Sequence, residues 1–199
     1  MIAYIQGKLV EKNPTYAILE SNGIAYMINI SLNTFTKIKD EENCKLFTHL
    51  AIKSEATTPV GFVLYGFASD EERRFFRHLI SVSGVGSNTA RLILSSLTTA
   101  EIQTAIQTNN VGVFQKVKGI GEKSAQRIII DLKGKIEKED VSSEKISPQY
   151  NTLKEEALTA LIMLGFNRNI AEKAVDKTIK NEGLAITVEE LIKQALKVL

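Results

Sequence analysis

The sequence predicts an α+β protein in three parts: an N-terminal OB-type β barrel, a central all-α domain with two helix-hairpin-helix motifs, and a C-terminal three-helix domain. Three observations lead to this fold class. Short β-like runs fill residues 1–67, helical periodicity with a duplicated motif fills residues 68–138, and further helical runs fill residues 151–199. These ranges are the predicted domains, with residues 139–150 between the last two.

The first part of the chain has the pattern of a small barrel. Asn22 and Gly23 form the two-residue turn typical of a β hairpin, and the segment from Ser31 to Ile38 has helical spacing. Runs rich in β-branched and aromatic residues predict strands at 4–10, 16–20, 24–30, 45–52 and 62–67. Five short strands with one small helix are typical of an OB-type barrel.

The period of the apolar residues becomes helical from Ser69 onward. Ser69 with Glu72, and Thr98 with Glu101, have the spacing of capping boxes at helix starts. The predicted helices lie near residues 69–81, 87–95, 98–107, 110–117 and 122–137.

Residues 139–150 have no apolar periodicity and include Pro148, so they predict a flexible linker. Helical patterns resume after it, with a break at Leu164-Gly165-Phe166 between the first two helices. The spacing of a capping box marks two of the helix starts, at Thr152 with Glu155 and at Thr187 with Glu190.

One short pattern occurs twice in the central domain, in residues 79–94 and 114–129. Each copy has an apolar segment, then Gly-Val-Gly or Gly-Ile-Gly, then a polar pair and a Thr/Ser-Ala dipeptide that opens an amphipathic run. Gly119 follows Gly84 by 35 residues. A single Gly-x-Gly can be an ordinary helix end, but the repetition favours a motif of helix, tight hairpin and helix.

Such a hairpin has the chemistry of a phosphate-binding site. Its glycines allow positive φ and a close approach of the backbone, and the free N–H groups of the next helix's first turn carry the positive end of the helix dipole. Val85 and Ile120, between the glycines, are expected to point inward. Because the donors are backbone groups, two hairpins would hold both strands of a duplex across a minor groove without reading its bases.

The distribution of charge agrees with this interpretation. The net charge of the chain is only +2, but residues 116–138 hold seven basic and three acidic residues. A basic stretch can also be a solvated helix face. Because this one coincides with the second hairpin, we favour phosphate contact.

Composition excludes several other classes. No apolar stretch is long enough to span a membrane and the N-terminus has no signal-peptide pattern, so we expect a cytoplasmic protein without a membrane partner. Cys44 is alone, which excludes an internal disulfide and is typical of a small buried hydrophobe. His49 and His78 do not make a zinc site, and we expect neither metal nor cofactor.

The chain resembles the RuvA family of Holliday junction branch migration subunits over essentially its whole length. The resemblance is carried by the barrel, by Leu64-Tyr65-Gly66-Phe67 leading into Ser69, by the two hairpins at their spacing, and by the linker and helical tail. It implies a homotetramer around a barrel core, as one tetramer or two stacked as an octamer. That assembly holds a four-way DNA junction open and flat for homologous recombination and DNA repair in the SOS response to DNA damage.

The resemblance also implies protein partners. The C-terminal domain, UBA-like in this family, recruits the hexameric RuvB ATPase that drives branch migration, and the RuvC resolvase is a further partner. The resemblance assigns that role to four apolar residues, which are Leu161, Leu164, Phe166 and Leu196. The same residues also suit the core of a small helical module. We expect Leu161 to serve both core and contact, and Phe166 to protrude.

Carried over residue by residue, the resemblance implies a DNA-phosphate-binding set in the two hairpins and the helices that follow them. Its members are Gly84, Val85, Gly86, Asn88, Arg91, Lys118, Gly119, Ile120, Gly121, Lys123 and Arg127. Relatives often have lysine where this chain has Asn88, so the first hairpin is expected to be electrostatically weaker. Arg91, one turn further on, is expected to compensate.

The family also has an acidic pin of two adjacent carboxylates before the Leu-Tyr-Gly-Phe strand, which repels phosphates at the crossover. Here only Glu55 matches, and residues 57–61 look like a longer loop. We assign Glu55 to the pin. An ordinary surface glutamate is the alternative.

The sequence predicts no catalytic residues. Residues 121–124 lack the glycine spacing of a Walker A motif, and most carboxylates lie at helix starts, where capping explains them. We therefore expect a non-catalytic scaffold, the accessory subunit of an ATP-dependent helicase complex. Two other classes stay open. One is a structure-selective repair glycosylase or nuclease, with Asp131 available as the catalytic residue of a glycosylase, and the other is an RNA-binding module that uses the same hairpins.

Overall fold

The computed structural model describes residues 2–55, 58–141, 148–183 and 186–199, with side-chain positions outside 53–60 and 136–152. The chain divides into two compact units, residues 1–136 and 137–199. The predicted barrel and the central helices lie together in the first unit. No helix in the described ranges is long and apolar enough to cross a membrane.

Five strands form a closed barrel in the order β1-β2-β3-β5-β4, which confirms the OB-type prediction. A parallel pairing of β3 with β5 closes it, and the other pairs are antiparallel. A short helix, α1 (Leu32–Ile38), follows β3. The strands are β1 (Tyr4–Asn13), β2 (Tyr16–Ser21), β3 (Ile24–Ile30), β4 (Asn43–Glu55) and β5 (Thr58–Phe67).

Glycine is required where barrel strands approach closely. A Cβ on Gly7 would lie 1.9 Å from the Glu20 carbonyl oxygen, and one on Gly66 would lie 2.4 Å from Cγ2 of Ile28. The predicted Asn-Gly turn is confirmed by φ values of 52° at Asn22 and 81° at Gly23.

The longer loop predicted at residues 57–61 is wrong. Strand β5 already begins at Thr58, and Glu55 pairs with Thr58 in the β4–β5 ladder. The ladder shifts register between Lys53 and Glu55, which is the β-bulge that a proline in the opposite strand favours. The β-branched residues on either side of Pro59 support the extended conformation.

Five helices follow the barrel: α2 (Asp70–Ile80), α3 (Ser87–Ser96), α4 (Thr99–Gln107), α5 (Val111–Gln115) and α6 (Glu122–Val141). They match the predicted helices within three residues at each end, except that α6 runs four residues beyond its predicted end. Their core continues onto the barrel. The Phe76 ring of α2 lies with its centroid 4.9 Å from that of Phe67 and 5.0 Å from that of Tyr65, both on β5. The core of the helices therefore extends onto strand β5, while the interior of the barrel forms a separate hydrophobic cluster.

Capping occurs as predicted at Thr98, where the full box with Glu101 is present. At Ser69 only half of the predicted box forms, because Glu72 turns away from it. The Glu72 side chain is 3% exposed, and its carboxylate accepts hydrogen bonds from the hydroxyls of Ser31 and Thr34. Since a buried carboxylate needs donors, these two hydroxyls, one at the N-cap of α1 and one in its first turn, outcompete the cap at Ser69.

The second unit is a three-helix module, as predicted: α7 (Pro148–Met163), α8 (Arg168–Glu182) and α9 (Val188–Leu196). The break at residues 164–166 is confirmed, with Gly165 at φ 98°. The capping box at Thr187 is also present. Lys154 of α7 pairs with Asp176 of α8 at 2.6 Å and with Glu172 at 3.5 Å.

The predicted end of α6 at residue 137 and the predicted start of α7 at Thr152 are both wrong. Helix α7 begins at Pro148, not at Thr152, because proline suits the first turn of a helix, where its missing N–H would be unpaired anyway. Helices α6 and α7 therefore occupy both ends of the predicted 139–150 linker. Its middle, residues 142–147, lies outside the described residues.

Candidate nucleic-acid interface

The two hairpins have the same backbone hydrogen bonds. The amide of Val85 donates to the carbonyl of Val82 at 3.0 Å, and the amide of Ile120 donates to the carbonyl of Val117 at 3.1 Å. All four side chains are buried, at 6% exposure or less. The residue between the glycines therefore points inward in both copies, as predicted, and fixes the turn to the core.

The glycines of each hairpin have different roles. Gly84 and Gly119 have φ values of +88° and +90°, which only glycine adopts without strain. Gly86 and Gly121 do not have positive φ, and a Cβ added to either would meet nothing within 4 Å. Nothing inside the described chain requires glycine at these two positions, and each leaves a stretch of backbone without a side chain.

Each hairpin leads directly into a helix N-terminus. Gly86 is the N-cap of α3 and makes no side-chain cap bond, and α6 begins after Gly121. The first-turn amides of a helix have no partner within the helix and carry the positive end of its dipole. Gly86 and Gly121 are both exposed, so the two hairpins present these amides at the surface.

Basic side chains surround the second hairpin. Lys118, Lys123 and Arg127 are all exposed. Nη1 of Arg127 donates to the carbonyl of Ser83 in the first hairpin at 3.4 Å. Arg127, one of the predicted phosphate-binding residues, therefore lies between the two hairpins.

The two predicted polar side chains of the first hairpin are held by the barrel. The hydroxyl of Tyr65 donates to Oδ1 of Asn88 at 3.3 Å. Burial raises the pKa of Tyr65, although the Arg91 charge acts in the opposite direction, so the phenol stays a donor at neutral pH. Arg91, the predicted substitute for a lysine, donates from Nη1 to the Thr15 carbonyl at 3.0 Å and to Oδ1 of Asn29 at 3.3 Å.

The predicted acidic pin residue is at the end of strand β4. Glu55 ends β4 at the tip of the β4–β5 hairpin, but its side chain lies outside the described residues. Its role stays a prediction.

The predicted contact residues of the tail separate into two groups. Leu164 and Leu196 are 62% and 40% exposed, whereas Leu161 is fully buried and Phe166 packs partly buried against the core of the second unit. The expectations that Leu161 is shared with a contact surface and that Phe166 protrudes are therefore wrong. Gly165 at φ 98° turns the chain so that Phe166 folds back over the helices.

Sequence reasoning missed five exposed apolar residues in the described part of the second unit, which are Ile162, Met163, Ile170, Val198 and Leu199. Met163 is 85% and Ile170 is 56% exposed, and both are apolar. A signal was present, because the four consecutive apolar residues 161–164 cannot all face one side of a helix.

Cys44 is partly buried and packs against the barrel core, and burial raises its pKa to about 11. Within the described ranges, no three His, Cys, Asp or Glu residues come together in a group that could hold a metal ion.

Two helix-hairpin-helix motifs in tandem, both with exposed first-turn amides, place the chain in the helix-hairpin-helix class of DNA-binding proteins, and here they are joined to a closed barrel. Family models match the chain along most of its length: the RuvA N terminal domain over residues 1–66, the SAM-like helix-hairpin-helix tandem over 76–134, and the RuvA C-terminal domain over 152–199. The chain belongs to the RuvA family.

Similar proteins support this assignment. The chain is 52% identical over 197 residues to the Holliday junction branch migration complex subunit RuvA of Christiangramia forsetii, with 99% of each chain covered. It is 51% identical over 198 residues to the protein of that name from Flavobacterium psychrophilum and 46% identical over 202 residues to that from Cytophaga hutchinsonii, again with 99% of each chain covered.

Proposed function

We propose that this chain is the non-catalytic subunit that binds Holliday junctions and recruits an ATPase motor for branch migration in homologous recombination and DNA repair. The observation that carries the proposal is the duplicated hairpin, in which two copies 35 residues apart share one hydrogen-bond pattern. The names of the relatives, Holliday junction branch migration complex subunit RuvA, agree with it.

Backbone amides would supply the grip on DNA. The bare surfaces of Gly86 and Gly121 allow a phosphate to approach the first-turn amides of α3 and α6. Such contacts hold the backbone of the nucleic acid and carry no sequence information. This suits a protein that must follow a junction as it moves through any sequence.

Four copies of the chain would match the four arms of a junction. A homotetramer places a pair of hairpins on each arm, and two tetramers can enclose the DNA as an octamer. With two phosphate contacts per subunit, the log–log salt slope of binding should be roughly −7, from about 0.9 counterions per contacted phosphate.

The exposed apolar residues of the second unit would take the motor partner. Met163, Leu164 and Leu196 offer an apolar surface on a small module, and such surfaces are usually interaction sites. We assign this surface to the RuvB ATPase, with the RuvC resolvase as a further partner of the assembled junction complex. The expected location is the cytoplasm.

A comparison of ligands tests the DNA proposal. The full chain should retard four-way junction DNA at lower concentrations than linear duplex or single-stranded DNA, and structured RNA should compete poorly. Preference for the RNA would favour the RNA-binding alternative. Cleavage of junction or damaged-base DNA by the pure chain would favour the enzyme alternative.

A separate variant tests recruitment of the motor. Leu164→Asp in the full chain should abolish stimulation of the partner ATPase and leave junction affinity unchanged. Lys180→Asp places the same side chain at an exposed polar position of the same unit and is the matched control. Unimpaired stimulation by Leu164→Asp would contradict the assigned surface.

A further inference from the structure

One face of α3 is attached to the barrel through polar contacts. Asn88, Arg91 and Ser95 follow the i, i+3, i+7 spacing of a single helix face. Asn88 accepts from Tyr65, and Oγ of Ser95 accepts from the Leu32 amide at 3.1 Å. Arg91 lies between these two contacts.

Arg91 joins two separate parts of the barrel. Its Nη1 reaches the Thr15 carbonyl in the β1–β2 turn at 3.0 Å and Oδ1 of Asn29 on β3 at 3.3 Å. The guanidinium group is planar and rigid, so contacts from it fix direction as well as distance. The side chain is partly buried, in contrast to the exposed Lys118 and Lys123 of the second hairpin.

The second motif lacks this attachment. The residue 35 positions after Arg91 is Gln126, which is exposed and donates from Nε2 to Glu122 of its own helix at 3.3 Å. The barrel contact of Arg91 is therefore a property of the first hairpin and not of the motif.

We propose that Arg91 is a positioning residue that sets the angle of the first hairpin against the barrel, and that it does not contact phosphate. This rests on the proposed function, because the angle matters only if the hairpins grip DNA arms that radiate from barrels at the junction centre. On a junction, each arm has a fixed direction from that centre. On a linear duplex, a protomer can adjust its position freely.

The test measures junction and linear-duplex affinity over a salt series for Arg91→Met and for Asn29→Ala, which removes an acceptor but keeps the arginine charge. Both variants should lose about tenfold in junction affinity, the order expected for a hydrogen bond to a charged group. Duplex affinity and the log–log salt slope should stay as in the unsubstituted protein. The double variant should lose no more than Arg91→Met alone.

Two outcomes would overturn the proposal. If Arg91 contacts phosphate, Arg91→Met should flatten the salt slope by about 0.9 per lost contact, and Asn29→Ala should leave junction affinity unchanged. If Arg91 only stabilises the fold, both DNAs should lose affinity equally, since fewer molecules are active, and the thermal midpoint should fall.

Lys123→Ala separates this proposal from the proposed function. It should flatten the salt slope if the second hairpin grips phosphate. If Lys123→Ala changes neither the salt slope nor the junction affinity, the hairpins are not part of the DNA interface. If both Lys123→Ala and Arg91→Met flatten the salt slope, only the proposed role of Arg91 is overturned.

Discussion

The two hairpins have one backbone but are supported in different ways. The first carries the neutral Asn88 and is tied to the barrel through Tyr65 and Arg91. The second carries Lys118 and Lys123, both exposed. The same anion-binding turn can therefore be reinforced by attachment to a rigid neighbour or by local positive charge.

The difference has a consequence for how each hairpin responds to salt. Contacts made by exposed lysines weaken as ionic strength rises, whereas partly buried hydrogen bonds within the protein are screened much less. The second hairpin should dominate binding at low salt, and the share of the first should increase as salt is added.

The largest effect is expected where both hairpins lose their bare surface. Gly86→Val with Gly121→Val should lower junction affinity roughly 100-fold, because the side chains displace phosphates from charge-assisted hydrogen bonds. The fold should be unaffected, since neither position has positive φ and a Cβ meets nothing within 4 Å. Gel retardation and thermal unfolding measure the two effects.

The matched control is Gly134→Val, which adds the same side chain at an exposed glycine of α6 away from the turn. Gly119 is a poorer choice than Gly121, because its φ of +90° would strain any replacement. Full junction affinity in the double variant would contradict the backbone grip.

Next in size is the buried carboxylate that joins α2 to the barrel. Glu72→Ala should lower the free energy of unfolding by about 2–3 kcal/mol, because the Ser31 and Thr34 hydroxyls lose their acceptor in a buried site. Chemical denaturation measures this loss. Glu71→Ala, at the exposed neighbouring position, should change stability by less than about 0.5 kcal/mol. Equal effects of the two variants would show that the network is unimportant.

Exchanging the lysine of the second hairpin and the asparagine of the first tests whether charge distinguishes the two hairpins. Lys123→Asn should lower junction affinity about fivefold at low salt and flatten the salt slope, because it removes a cation beside the phosphate site. Asn88→Lys should steepen the slope. If the salt slope changes in neither variant, charge does not distinguish the hairpins.

The smallest effect is expected from the barrel contact to Asn88. Tyr65→Phe removes one hydroxyl, and the loss of its hydrogen bond to Asn88 should cost about 1 kcal/mol or less of junction affinity. The loss should be equal at low and high salt. A loss of affinity at low salt alone would show that this contact acts through charge and not through the position of Asn88.

Local features of the chain were predictable from the sequence. The hairpins, the Asn-Gly turn at residues 22–23 and the box at Thr98 each depend on residues within a few positions of one another. Contacts between distant segments were not predictable. Arg91 and Thr15 are 76 residues apart in the sequence, and Glu72 and Ser31 are 41 residues apart. No local spacing in the sequence predicts either contact. The spacing assigned Glu72 to the helix cap at Ser69, because only local partners were visible, and the family resemblance assigned Arg91 to a phosphate.

The central claim is that the main-chain amides of both hairpins hold phosphates. Hydrogen exchange of the full chain, with and without saturating four-way junction DNA, tests it most directly. Exchange should slow in peptides covering residues 84–89 and 119–124 and stay unchanged in a peptide covering helix α8. Unchanged exchange at both hairpins, under conditions where the junction is bound, would contradict the account.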